Sequence, residues 1–265
     1  MSVHELRPMG VGDILDTTFR LYRQRFLTFL LIALVVYLPY AILLSLLQGS
    51  GPVVAETDPS LGPQVNGNAV GLRMIGVGLF TLILMPLCTA ALIHNISATY
   101  LGERLSAGDS YARAMPRVLP LLWTQFLVGV VVMLGILMFV VPGIIFSLWF
   151  SVAIPVVILE SMGGFRAMGR SRQLVRGNLD KALKLGLAVF FLSFIFGMVI
   201  NALVRFVPWP HPALATFVVS ILPALWLPIQ TAPSILLYYD LRIRKEAFDL
   251  QQLSVMMNPP APAAP

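Results

Sequence analysis

Apolar residues fall into six long runs, at about 26–47, 70–99, 118–141, 144–160, 183–207 and 214–239, with the polar residues gathered between them. Crossing about 30 Å of hydrocarbon takes roughly 20 mostly apolar residues in a helix. The pattern therefore predicts an all-α polytopic membrane bundle with six transmembrane helices. Pro142 and Gly143 separate the third run from the fourth and predict a tight hairpin turn there. The run at 144–160 is the shortest, and a re-entrant segment is its alternative to a full crossing.

Three of the connecting stretches have helical periodicity of their own. After Gly12, residues Leu15, Phe19, Tyr22 and Phe26 form an apolar stripe, with Asp13, Asp16, Arg20 and Arg23 on the opposite face. After Gly108, Tyr111, Met115 and Val118 stand against Asp109, Arg113 and Arg117. After Gly163 and Gly164, Phe165, Met168 and Val175 stand against Arg166 and Arg170. Each stretch reads as an amphipathic helix lying at the membrane interface. Two spanning runs follow each one. The chain is thus expected to be a single membrane domain, 1–253, built of three repeats (10–100, 106–160 and 162–240), with a disordered Pro/Ala-rich tail at 254–265.

Charge adds orientation. Sixteen of the 18 Lys and Arg residues fall in the N-terminal segment, the two amphipathic connectors and the C-terminal segment, which places all of these on one side. The opposite side keeps Arg73 and Arg205. Because Lys and Arg are retained in the cytoplasm, both termini are expected there, in a bacterial inner membrane. With 58% apolar and 11% charged residues, and a mean hydropathy of +0.85, a water-soluble enzyme is excluded. The net charge of +6 sits at the ends of apolar runs rather than in one patch, so no nucleic-acid partner is expected. One cysteine, Cys88, excludes an internal disulfide, and three scattered histidines predict neither metal nor cofactor.

The last span ends in LLYYDLRIRKEAFDL, residues 236–250. Tyr238 and Tyr239 are expected to anchor the membrane border through their amphipathic rings. Asp240 with Arg244, Arg242 with Glu246, and Lys245 with Asp249 are i,i+4 pairs on a helix expected to emerge into water. This block resembles the bacterial membrane domain named after glycerophosphoryl diester phosphodiesterase. So do RPMGVGDILDTTFRLYRQRF at the start, VPGIIF at 141–146 and PVVILESMGGFRAMGRSRQLVRGN at 155–178. The name comes from a catalytic domain fused to some members, a TIM-like barrel with His and acidic metal ligands. Here His4 is followed by Glu5 and Leu6, and no soluble stretch approaches the ~250 residues of a barrel. What the resemblance implies is an integral membrane module of the envelope, without the phosphodiesterase activity.

Polar groups in apolar runs are candidate sites. Arg73 and Arg205 are expected to snorkel to headgroups. His94, Asn95, Asn201 and Gln230 are intramembrane candidates, and structural hydrogen bonding is the expectation for His94 and Asn95. Ser193, Gly197 and Asn201 form a four-spaced strip suited to close packing. Pro39, Pro86, Pro155, Pro223, Pro228 and Pro233 free backbone carbonyls within the spans. Glu160, Asp240, Arg242 and Arg244 form an expected polar lock, and Arg166, Arg170, Arg172 and Arg176 a shelf for lipid headgroups or partner proteins. No catalytic constellation is present. The function read from the sequence is a non-catalytic scaffold or accessory module, with membrane lipids and other envelope membrane proteins as partners. A transporter or flippase for a lipid or small amphiphile is the alternative, and a membrane-embedded lipid-processing enzyme the third reading.

Overall fold

A computed structural model describes residues 8–49, 71, 74–78 and 80–246. Of the described residues 87% are helical and none forms a strand. Six stretches are long and apolar enough to cross a membrane: Phe26–Leu46, Met74–Tyr100, Ala107–Met138, Val140–Leu159, Leu179–Phe206 and Pro212–Glu246. The chain is an all-α polytopic membrane bundle. Arg73, Asp249, the loop before residue 70 and the predicted tail lie outside the described residues.

The helices are α1 (Val11–Gln24), α2 (Phe26–Gly49), α3 (Met85–Tyr100), α4 (Ala107–Ala114), α5 (Val118–Met138), α6 (Val140–Trp149), α7 (Ala153–Leu159), α8 (Phe165–Val175), α9 (Leu179–Phe206), α10 (Pro212–Ile221) and α11 (Pro223–Glu246). Helix α11 is the hub, packing against α1, α2, α3, α7, α8 and α9. Its inner half is buried almost continuously from Ile235 to Leu241. Elsewhere the bundle presents apolar surface outward. Phe190, Phe191, Phe194 and Ile195 on α9, and Leu134, Leu137 and Met138 on α5, are exposed, as hydrocarbon-facing residues must be.

The hairpin between the third and fourth spans turns earlier than Pro142–Gly143. Only Phe139 leaves helical geometry (φ −163°, ψ 149°), and α6 begins at Val140. Pro142 therefore sits in the first turn of α6, where its missing N–H has no intrahelical acceptor to lose. Gly143 and Gly135 let the two arms meet, since a Cβ on Gly143 would lie 2.9 Å from the Ile136 nitrogen. The fourth span also breaks, between α6 and α7, and Pro155 falls in the first turn of α7. Pro223 likewise opens α11, and Pro86 opens α3 after a π-helical segment at Phe80–Leu84. Of the six prolines expected to interrupt spans, only Pro39, Pro228 and Pro233 lie inside helices.

The amphipathic helices form where expected; the bundle covers residues beside the apolar stripe in α1 and α4, but Met168 and Val175 of the stripe itself in α8. In α1 the buried residues are Ile14, Thr17, Thr18 and Leu21, while Phe19 and Phe26 of the expected stripe are exposed. At 100° per residue the helix has three faces about 120° apart. Ile14, Thr17, Thr18 and Leu21 face the bundle, Leu15 and Phe19 form a second, apolar face, and Asp13, Asp16, Arg20 and Arg23 a third, charged one. In α4 the buried residues are Ser110 and Ala114, with Met115 exposed. Helix α4 runs through a 3-10 turn at Met115–Arg117 directly into α5, so no loop separates it from the span. In α8, Ala167, Met168, Ser171, Leu174 and Val175 are buried and Phe165 is exposed.

Candidate functional site: the charged face of the bundle

The ends of α1, α3, α7, α8, α9 and α11 meet on one face, where two ion-pair clusters tie them together. The first forms around Glu160, the residue capping the C-terminus of α7. Arg170 of α8 donates from Nε to Oε2 of Glu160 (2.8 Å) and from Nη2 to Oε1 (3.2 Å). Its Nη1 lies 2.5 Å from Oε1 of Glu246 on α11. Donation to Glu246, and then to Glu160, pushes the Arg170 pKa further up, which keeps the guanidinium charged. Tyr238 donates to Glu160 (2.9 Å), and Arg242 donates to Tyr238 (3.0 Å) and to Glu246 (3.1 Å). Two carboxylates and two guanidiniums thus neutralise each other across three helices.

The second cluster is deeper. Asp240 on α11 is wholly buried. It accepts from the backbone N–H of Met9 (2.7 Å), from Arg244 Nε (3.0 Å to Oδ2) and from Lys181 Nζ in the first turn of α9. Lys181 and Arg244 also donate to the Met9 carbonyl. A carboxylate removed from water needs such partners, since the solvation it loses outweighs what one contact returns. The segment before α1 is thereby fastened to the last span.

Further bonds set α8 in place. Lys245 donates to the carbonyls of Gln173 (2.5 Å) and Arg176 (2.6 Å), placing a cation at the C-terminal end of the α8 dipole. Ser171 donates to the Trp149 carbonyl (2.7 Å), and the Arg172 guanidinium lies 4.2 Å above the Trp149 ring. Gly164, which begins α8 at φ +62° and ψ −137°, donates its N–H to Thr124 (2.7 Å). That backbone region is open essentially to glycine alone.

Of the residues singled out in the sequence, the structure brings Glu160 and Arg242 together in one cluster and Asp240 and Arg244 in the other. Two expectations are corrected. The end of α11 does not stand free in water, because α1, α8 and α9 sheathe it. Tyr238 and Tyr239 are not border anchors but buried, with Tyr239 sharing a hydrogen bond with Ser97 (2.5 Å). Among the four shelf arginines, Arg166, Arg172 and Arg176 are exposed, whereas Arg170 is turned into the first cluster. Lys181, Met9, Tyr238 and Glu246 were not singled out as site residues. One signal for Lys181 was available: it stands four residues before Leu185 on the apolar face of α9, whereas Asp180 and Lys184 pair with each other on the water side.

The intramembrane candidates do not converge. Asn95 donates to Ser110 (2.7 Å) and to the Leu105 carbonyl (3.1 Å), which ties α3 to α4. Asn201 is exposed and bonds only within its own helix, to Gly197 (2.9 Å). Nothing comes within 4 Å of a Cβ built on Gly197, so the Ser193–Gly197–Asn201 strip is not a close-packed seam. Gln230 is exposed at a small cleft beside Ser151 and Ser234, and Arg205 is exposed at the end of α9. His94 is hydrogen-bonded to the backbone at Arg113, on the structural side of its expectation. It lines a cleft of about 410 Å³ with Ser97, Glu103, Arg113, Arg117 and Ser161, and its buried Nε2 has no hydrogen-bond partner among the described residues. No group of three His, Cys, Asp or Glu suited to a metal occurs among the described residues.

Spans and charged face together define a multi-pass α-helical membrane protein. Among known proteins, the chain is 32% identical over 177 residues to a UPF0259 membrane protein of Yersinia pestis (strain Pestoides F), covering 65% of this chain and 64% of the relative. A UPF0259 membrane protein of Yersinia pseudotuberculosis serotype O:3 (strain YPIII) matches to the same extent. The match thus spans just under two thirds of the length of these curated relatives. Their names describe bacterial membrane proteins and mention no phosphodiesterase. No family model matches the chain, and no solved structure does.

Proposed function

We propose that this chain is a non-catalytic membrane module of the bacterial envelope, a scaffold that holds a rigid basic ledge against the cytoplasmic leaflet and there gathers anionic lipids or membrane proteins. The observation that carries this reading is the seating of α8. Arg170 is held by Glu160 and Glu246, and Lys245 caps the far end. Arg166, Arg172 and Arg176 stand exposed on the helix so fixed. Each such cation near an anionic surface contributes on the order of 1 kcal/mol, and a preformed ledge loses little entropy when it engages.

The orientation that puts this ledge in the cytoplasm, with both termini beside it, rests on the distribution of Lys and Arg. The three-repeat plan (10–100, 106–160, 162–240) and membership of the membrane-domain family named after the phosphodiesterase belong to the same proposal. The sequence blocks at 155–178 and 236–250 support the latter.

The test is co-purification in mild detergent of wild type and an Arg166→Glu/Arg172→Glu/Arg176→Glu variant, followed by identification of bound lipids and proteins. The scaffold reading expects the variant to lose anionic lipids and partners while keeping its fold. Retention of both would refute it. Scrambling of a fluorescent lipid above the level of empty vesicles would replace it with transport.

A further inference from the structure

The cleft at His94 has a composition that the ion-pair clusters do not. Arg113 and Arg117, four residues apart where α4 passes into α5, both line it, and neither forms an ion pair among the described residues. On the same face Arg170 and Arg242 are matched by carboxylates, whereas half-buried Arg117 and exposed Arg113 are not. Glu103 borders the same cleft but lies beyond ion-pair distance of either arginine. His94 adds a buried Nε2 with no partner, and Ser97 and Ser161 add hydroxyls. Ser161 is the one non-glycine residue with positive φ (+60°) among those described, a conformation that costs energy and concentrates at binding sites.

A second cleft, of about 470 Å³, lies between α5 and α7, beyond the fully buried Leu121. It is lined by Gln125, Val128, Gly129, Val132, Phe150 and Ile154, among others, and is almost wholly apolar. On α5 it begins about two turns past Arg117, and on α7 and its approach it lies one turn and more before Ile158, which borders the polar cleft. Unpaired positive charge and hydroxyls at the junction of α4 and α5 thus stand about two turns from an apolar trough between α5 and α7. Two guanidiniums beside an imidazole and hydroxyls suit a phosphate, and a trough of this kind suits an alkyl chain.

We infer that the α5–α7 seam binds one phosphate-headed lipid, with its phosphate between Arg113, Arg117 and His94 and an acyl chain along Val128 and Val132. A ligand oxygen at His94 accepts from Nε2–H or, as a hydroxyl, donates to Nε2, which satisfies the orphaned atom. The site is separate from the α8 ledge and does not depend on it.

Native mass spectrometry of the full chain, titrated with phosphatidylglycerol, phosphatidylcholine or inorganic phosphate, tests this. The expected result is one phosphatidylglycerol bound in preference to phosphatidylcholine, weakened by at least about tenfold in Arg113→Gln/Arg117→Gln and unchanged in Lys184→Gln, an exposed cation outside both the cleft and the α8 ledge. Gly129→Leu, which fills the trough where nothing lies within 4 Å of a Cβ, should abolish the preference for long over short acyl chains. Continued protection of Cys88 from thiol reagents shows that each variant is folded. Equal binding by the Arg113→Gln/Arg117→Gln variant overturns the proposal. So does complete displacement of the lipid by millimolar inorganic phosphate, which would make the site one for the free anion.

Discussion

Asp240→Asn removes one negative charge from the best-buried ionic cluster in the molecule. Side-chain exposure is 0% for Asp240 and 10% for Lys181, so the substitution leaves an ammonium enclosed with no counter-charge, its acceptors being the Met9 carbonyl and a neutral amide oxygen. Removing one partner of a buried pair costs about 3–5 kcal/mol. Arg244, 38% exposed, can turn outward and regain water, which puts the expected loss at the lower end, about 3 kcal/mol, or roughly a hundredfold in the population of opened molecules. Cys88 provides a native reporter, because it is the chain's one cysteine and is fully buried, reacting with a thiol-specific fluorophore only when the bundle opens. Asp240→Asn should raise its labelling rate in detergent about a hundredfold. Lys181→Met/Asp240→Leu, which removes both charges but leaves the Met9 N–H without its acceptor, should lose less than Asp240→Asn, since no charge stays enclosed without a counter-charge. Labelling of Asp240→Asn at the wild-type rate would refute the argument, as would a double variant less stable than the single one.

Gly143→Ala should destabilise the α5–α6 hairpin by about 1–3 kcal/mol, because the new methyl falls 2.9 Å from the Ile136 nitrogen, while Gly197→Ala should be neutral or slightly stabilising; thermal melts in detergent separate the two. Arg170→Gln should cost about 2 kcal/mol through the loss of charge-assisted bonds to Glu160 and Glu246, against less than about 0.5 kcal/mol for exposed Arg166→Gln, read by the same melts. Tyr239→Phe leaves Ser97 without its partner inside the bundle and should lower stability by about 1 kcal/mol, and an unchanged melt would show that the Ser97 hydroxyl finds another acceptor.

The spans were legible because twenty apolar residues in a row have only one economical conformation in hydrocarbon. The packing faces of α1 and α4 were not. In α1 and its continuation, and in α4 and its continuation, the interfacial stripe includes Phe19, Phe26 and Met115, which stay exposed, but it does not point to Ile14, Thr17, Thr18, Leu21, Ser110 and Ala114, which the bundle covers. In water, apolarity points inward. Beside lipid it does not discriminate, and small residues that allow close approach mark the interface instead. The proline signal held for Pro39, Pro228 and Pro233, which lie inside helices, but a proline in a first turn ends nothing, and Pro142, Pro155 and Pro223 all occupy first turns. At the charged face, i,i+4 spacing correctly paired Asp240 with Arg244 and Arg242 with Glu246, because those partners are fixed by one helix. Lys181, Met9 and Glu160 reach the same residues from 59, 231 and 78 positions away, distances over which no local periodicity operates.

The knot of bonds at Met9 joins the first described residues to the last span, and this dictates an order of assembly. A nascent chain whose synthesis has reached α9 carries Lys181 with no acid to meet it, and the beginning of the polypeptide has nothing to hold it. Only when Asp240 leaves the ribosome can the circle close. Molecules truncated before that point keep Lys181 as an uncompensated cation.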